Sequence, residues 1–250
     1  MAITGLFTIA GIAALKDLIY DETKNHFLYV AIGTDNTTAA ISQTALVAEH
    51  ARAAATITAS DAKKILWAVS VAATDTVDIY EFGIFDASTG GNMLWRGVSD
   101  TAYSLTSGEY MGFDLEVTLA GLAVSTTTAG LNEVRNLIGD LSTPSGFDYL
   151  AYGTGTGAES ASDTTLGTET DREQCSSSEK VTYTVRAPND TLMLYKTFTA
   201  ASAVTVSEVG IFNASTGGDM LARSLIAAAD RETLAVGDKF VVTYRITPYG

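Results

Sequence analysis

Apolar positions along the chain change period twice, in the same order each time. Across TIAGIAALKDLIY, starting at Thr8, the residues Ile9, Ile12, Ala13, Leu15, Ile19 and Tyr20 recur every third or fourth position, which is the stripe of an amphipathic helix. The pattern then turns to short runs rich in Val, Ile, Leu and aromatic residues: FLYVAIG, KKILWAVSVA, TVDIYEFGIF, NMLWRGV and YMGFDLEVTL. A second helical stripe follows in TTAGLNEVRNLI, with Leu131, Val134, Leu137 and Ile138 on one face. After it come FDYLAYG, KVTYTV, TLMLYKTF, VTVSEVGIF, DMLARSLI and KFVVTYRIT. Runs of this length, broken by Thr, Ser, Gly and Asp, predict antiparallel sheets closed as a sandwich or barrel. A helix of about thirteen residues is marginal alone in water, so each stripe must dock on something.

The two halves are copies of each other. TIAGIAALKDLI from Thr8 aligns with TTAGLNEVRNLI from Thr127, and YVAIGT from Tyr29 with YLAYGT from Tyr149. GIFDASTGGNML from Gly83 returns as GIFNASTGGDML from Gly210, and SGEYMGFDLEVTLAG from Ser107 as VGDKFVVTYRITPYG from Val236. The offset is 119 to 120 in the first two pairs and 127 to 129 in the last two, so about seven residues are added once, between Arg172 and Thr191. Internal repetition sets the architecture before any motif is considered. The predicted fold is mainly β: two tandem antiparallel β-sandwich domains, each with an N-terminal α-helix, spanning 1–121 and 122–250 and joined through GLAVSTT. Because the helix at Thr8 recurs at Thr127, it reads as a domain element rather than a cleaved leader. The repeated twelve residues predict a strand, a turn and a strand. Gly90 and Gly91, and likewise Gly217 and Gly218, serve the turn because glycine takes positive φ without a Cβ clash. Asp86 and Asn213 stand where a short polar side chain bonds turn amides.

Composition narrows the function. The 250 residues are 46% hydrophobic and 18% charged, enough apolar material for a core in each copy. The net charge of −14 repels phosphate backbones, which argues against nucleic acid as a partner. The apolar run at the N-terminus is interrupted by Lys16 and Asp17 after about fourteen residues, too few to span a bilayer, so no membrane partner is expected. The single cysteine, Cys175, allows no internal disulfide and is expected as a free thiol in a polar strand or loop.

Candidate chemistry is thin. The STGG turn lacks the Lys and helix N-terminus of a phosphate loop, and Asn213 in the second copy weakens a calcium site built on Asp86. No metal set, dinucleotide fingerprint or nucleophile elbow is present, and His26 and His50 occur only in the first copy. One charged set recurs in both copies: Glu49, Arg52, Glu81 and Arg96 correspond to Glu169, Arg172, Glu208 and Arg223. Glu81 falls inside the strand-like run DIYEFGIF, where an unpaired carboxylate is costly if buried. A pair of acid/base carboxylates, as in glycoside hydrolysis, is one reading. Ion pairs that fix strand packing are the preferred one, since both signs occur in equal number. Trp67, Trp95, Tyr103 and Tyr110 are either core or a sugar-stacking surface.

The helix AGLNEVRNLI, the stretch YLAYGTGTGAESASDTTLGTE with its following Arg172, and EVGIFNASTGGDMLAR with the closing strand resemble a family of small tailed-phage virion proteins. That family's members are tail-fibre or minor structural proteins, some attached to heads. The resemblance covers most of 122–250 and, more loosely, 1–121. It implies location in the virion and a non-enzymatic structural role without cofactors. It also implies partners among other virion proteins of capsid or tail and assembly into a homo-oligomer or lattice. A host-surface glycan-binding or adhesion module is the alternative. The segment from Arg172 to Thr191 and the tip at Ser104–Glu109 are expected contact regions on exposure alone.

Overall fold

The computed structural model describes residues 3–61, 64–118, 126–181 and 191–246. The repeat junction at 121/122 and most of the linker GLAVSTT lie outside the described residues, as do 182–190 within the segment expected to carry the inserted residues. Strands make up 46% of the chain and helices 13%, so the fold is mainly β. The described residues form two compact units. One lies within Met1–Leu18, Thr23–Thr118 and Arg135–Thr143, the other within Ile19–Glu22, Leu119–Val134 and Pro144–Gly250.

The first unit has two antiparallel sheets. Strands β1 (Ile3–Phe7), β2 (Tyr29–Gly33), β3 (Glu49–Ala54), β6 (Val77–Phe85) and β7 (Met93–Leu105) form a five-stranded sheet in the order β1-β7-β6-β2-β3. Strands β4 (Thr56–Asp61), β5 (Lys64–Ala72) and β8 (Tyr110–Thr118) form a three-stranded sheet in the order β4-β5-β8. β5 alternates as its sequence predicts, with Ile65, Trp67, Val69 and Val71 buried. β2 does not alternate, because both faces of the larger sheet are covered. Its period-2 geometry puts Val30 and Ile32 on one face and Tyr29 and Ala31 on the other. Phe82 of β6 meets Phe113 of β8 edge to face at 5.2 Å, which joins the two sheets into a sandwich. On the opposite face Ala31, Phe85 and Met93 pack with Leu46 from the β2–β3 loop.

The second unit repeats this plan. β9 (Tyr149–Gly153), β10 (Glu169–Gln174), β14 (Glu208–Phe212) and β15 (Met220–Leu225) form one sheet in the order β10-β9-β14-β15. β11 (Ser177–Val181), β12 (Thr191–Thr199) and β17 (Lys239–Ile246) form another, in the order β11-β12-β17. Tyr152 of β9 meets Phe198 of β12 and Phe240 of β17 at 5.0 and 4.8 Å, the counterpart of the Phe82–Phe113 contact. The long β6–β7 hairpin is broken here. A two-stranded ladder, β13 (Val204–Thr205) with β16 (Thr233–Leu234), is set apart from β14 and β15 by Val206–Ser207 and by a segment that includes a 3-10 turn, Ala228–Asp230. Two residues join β4 to β5, whereas nine, 182–190, separate β11 from β12, which accounts for the added seven.

Helix α1 (Ile9–Tyr20) and helix α2 (Thr128–Gly139) start alike. The Thr8 hydroxyl accepts from the Gly11 amide at 2.9 Å and donates to the Met93 carbonyl; Thr127 does the same with Gly130 and Met220. Each glycine sits where the helix backbone meets a strand: a Cβ on Gly11 would lie 2.3 Å from Leu94 Cα, and one on Gly130 2.4 Å from Leu221 Cα. The helix ends are apportioned in a way that periodicity does not predict. Within the first unit the Phe27 amide donates to the Ile138 carbonyl at 2.9 Å. Within the second the Phe147 amide donates to the Ile19 carbonyl at 2.6 Å. No helix among the described residues is long and apolar enough to cross a membrane.

The glycine contacts give a direct expectation. Gly130→Ala lowers stability in urea unfolding by about 1–3 kcal/mol through overpacking. Gly157→Ala, where an added Cβ meets nothing within 4 Å, stays within about 0.5 kcal/mol of the parent. Equal effects at both positions contradict the packing account.

Candidate functional site

Two arginines in each repeat hold its two exposed connections. The first connection is the fifteen-residue loop 34–48 between β2 and β3, matched by 154–168 between β9 and β10. Arg96 on β7 and Glu81 on β6 lie on the loop-covered face, and both side chains are fully buried. The Glu81 carboxylate accepts from Arg96 Nε at 2.8 Å and from the Val47 and Ala48 amides at 3.0 and 2.7 Å. Arg96 turns its remaining donors to the Thr37 carbonyl at 2.9 Å and to Asp35 at 3.1 Å. The second repeat uses the same geometry. Glu208 accepts from the amides of Gly155, Gly167 and Thr168 at 2.8, 3.0 and 2.8 Å and from Arg223 Nε at 2.7 Å. Arg223 in turn donates to Asp163 at 2.9 Å and to the Gly157 carbonyl at 3.0 Å. Two ions taken out of water are tolerated only when their hydrogen-bonding groups are satisfied, and each pair is satisfied by the loop it binds.

The second connection is the STGG turn. Arg52 on β3 forks onto Glu49 at 3.0 and 2.7 Å, stacks 3.5 Å from the centre of the Phe85 ring, and donates to the Ala87 and Gly90 carbonyls at 2.8 Å each. Arg172 does likewise with Glu169 at 3.0 and 2.7 Å, with the Phe212 ring at 3.4 Å, and with the Ala214 and Gly217 carbonyls at 3.0 and 2.8 Å. Gly90 and Gly91 have φ of 60° and 74°, and Gly217 and Gly218 of 61° and 69°. Asp86 Oδ1 accepts from the Asn92 amide at 2.6 Å and Asn213 Oδ1 from the Asp219 amide at 2.7 Å. The Asp-to-Asn difference keeps this bond and changes the second one: Asp86 Oδ2 accepts from the Asn92 side chain at 2.7 Å, whereas Asn213 Nδ2 donates to Glu133 at 3.4 Å.

The eight recurring charges thus come together as four pairs, Glu81–Arg96, Glu49–Arg52, Glu208–Arg223 and Glu169–Arg172. Some participants escaped sequence reading, Asp35 in the first loop among them. Gln43 and Asp163 occupy equivalent positions, and each accepts both from its arginine and from the amide three residues earlier, Ala40 or Ser160. An amide and a carboxylate at matching positions share no letter, which hid the role. The remaining candidates sit elsewhere. His26 bonds the Leu137 carbonyl, with Asp140 3.6 Å from its other nitrogen, and His50 accepts from the Thr74 amide at 3.3 Å. Cys175 is a free thiol in the loop after β10, and it is buried. Burial, with Asp148 nearby, pushes its thiol up to about 12. Trp67 is fully buried and donates to the Phe27 carbonyl at 2.7 Å, so it is unavailable for stacking on a sugar. No group of three or more His, Cys, Asp or Glu converges among the described residues in the way a metal ion requires.

Sandwich sheets covered by pinned loops, with Glu81 and Glu208 engaged by amides and guanidinium groups, are the features of a structural module. The chain belongs to the family described as podophage GP4 fiber I protein gp80, which matches residues 21–118 and 131–245. It is accordingly a structural protein of the phage fibre class, located in the virion. No curated protein and no solved structure matches the chain.

The pairs predict how stability responds to mutation and pH. Arg96→Met leaves a buried carboxylate uncompensated and costs the first unit about 3–5 kcal/mol in denaturant unfolding, while Glu81→Leu combined with Arg96→Met recovers much of that loss. For Glu208, burial raises the carboxyl but the amides of Thr168, Gly167 and Gly155 and the Arg223 guanidinium outweigh it, so the net shift is below the ordinary 4.5. A lowered folded-state value means that stability is fully present above 4.5 and is lost as pH falls through the folded-state value. Glu208→Gln should flatten this acid limb in a pH-dependent melting series. A limb of unchanged slope contradicts the assignment.

Proposed function

We propose that the chain is a non-enzymatic building block of the tail-fibre apparatus. Its two repeats, 1–121 and 122–250, present pinned loops and STGG turns as contact surfaces for other virion proteins. The observation that carries this reading is the parallel use of four arginines, two in each copy, to fix polar connections at equivalent places in the sheet. Loops that contact a partner lose less entropy on binding when they are already ordered, so the buried pairs serve assembly rather than chemistry. Glu49, Arg52, Glu81, Arg96, Glu169, Arg172, Glu208 and Arg223 are structural ion pairs in this reading. Gly90, Gly91, Gly217 and Gly218 shape the turns. Carboxylates whose oxygens already accept from amides and guanidinium groups offer nothing to an acid/base step.

Labelling the protein in intact particles and counting its copies tests this. The proposal expects label at the tail fibres and a few to a few dozen copies per particle. Hundreds of copies spread over the head contradict it and indicate a capsid-decorating role.

A further inference from the structure

Each repeat closes with a strand whose outer edge pairs with nothing among the described residues. β8 bonds only β5 and β17 only β12. Neither edge has the usual protections of a proline or a bulge. Both edges border an open groove. Beside β8 a cavity of about 430 Å³ is lined by the consecutive residues Tyr110, Met111, Gly112, Phe113 and Asp114, with Phe82 and Leu105 opposite. Beside β17 a cavity of about 470 Å³ is lined by Lys239, Phe240, Val241, Val242 and Thr243, with Val209, Leu234 and the acidic Asp230 and Glu232 opposite. Consecutive lining residues mean that each groove opens onto the strand's edge rather than onto one face. The outer faces beside the grooves carry unusually bare side chains, Tyr110 at 71% and Val241 at 60% exposure.

We propose that these two edges are a matched pair: β8 of one copy adds to β17 of a second copy as an antiparallel ladder, joining chains head to tail. The two five-residue linings determine the register. Asp114 faces Lys239, Gly112 faces Val241 and Tyr110 faces Thr243 on the outer side. Phe113 meets Phe240 and Met111 meets Val242 on the inner side. Inward residues meet inward residues throughout, as a shared sandwich face requires. The bare valine lies over a glycine, with only open space where a Cβ would sit. Sign selects this pairing over its rivals. β8 carries Asp114 and Glu116 without a base, Glu116 already meeting Lys64 at 2.8 Å, whereas β17 carries Lys239 and Arg245 without an acid. Through the same five residues, β17 against itself gives Lys239 no acid, and β8 against itself gives Asp114 no base. A contact between two different surfaces of one chain propagates into a ring or a filament.

The inference rests on the building-block reading only in expecting copies to meet. Sedimentation of the purified full chain tests it. The parent protein should show a mass above 26.2 kDa that rises with concentration. Asp114→Lys and Lys239→Asp, both at exposed positions, should each raise the dissociation constant about tenfold. An equimolar mixture of the two variants should reassociate, because each supplies the charge the other lacks. Circular dichroism confirms that the variants fold. A monomeric parent, single variants that associate like the parent, or a mixture that stays apart overturns the proposal. Particles that carry a chain monomeric in isolation overturn the edge pairing and leave the fibre assignment untouched.

Discussion

A buried guanidinium facing a buried carboxylate is the constraint on which the rest of each repeat depends. Glu81 and Glu208 are buried in the sheet, where an unpaired polar group is costly. Their arginines neutralise them, yet a guanidinium and a carboxylate carry more hydrogen-bonding capacity than one contact uses. The surplus is directed at loop backbone, at Val47 and Ala48 in one repeat and at Gly155, Gly167 and Thr168 in the other. Satisfying the charges and ordering the loop are thus one event. Leu46 and Leu166 then close over the sheet as apolar plugs against Phe85 and Phe212.

The second pair of arginines works by a different balance. Arg52 and Arg172 lie at the half-exposed edge strand, where an ion pair alone contributes little. Their grip comes from three simultaneous contacts: the carboxylate fork, the aromatic ring and two turn carbonyls. The turn, which follows β6, and the long loop, which follows β2, lie at opposite ends of this strand pair, since Tyr29 pairs with Phe85 and Gly33 with Glu81. One sheet therefore displays two fixed connections about 13–17 Å apart along the strand. For a fibre component, this gives polar surfaces that keep their shape without a disulfide or metal among the described residues.

Much of this was legible in the residues. The repeat, the helices, the apolar strands and the STGG hairpin follow from period and turn chemistry, and the recurrence of four Glu and four Arg marked the residues that pair. Other parts left no apolar signal. β3 and β10, EHARAA and ETDREQ, are polar strands held by ladder bonds and their arginine, and periodicity passes over them. The closing strand of the hairpin read as NMLWRGV extends to Leu105, because a ladder continues through residues too polar to register as a run. The apportioning of helix ends could not be read either, since a stripe shows that a helix docks but not on which sheet. Gln43 and Asp163 were hidden because the arginine needs only an oxygen there.

Amide hydrogen exchange in the two long loops tests the central claim most directly. The account predicts that the Val47, Ala48, Gly155, Gly167 and Thr168 amides are protected to the level of neighbouring strand amides in the parent. It also predicts that Arg96→Met releases the first two and Arg223→Met the last three, each without exposing the other loop. Fast exchange at these amides in the parent protein, or protection that survives loss of the arginine, contradicts it.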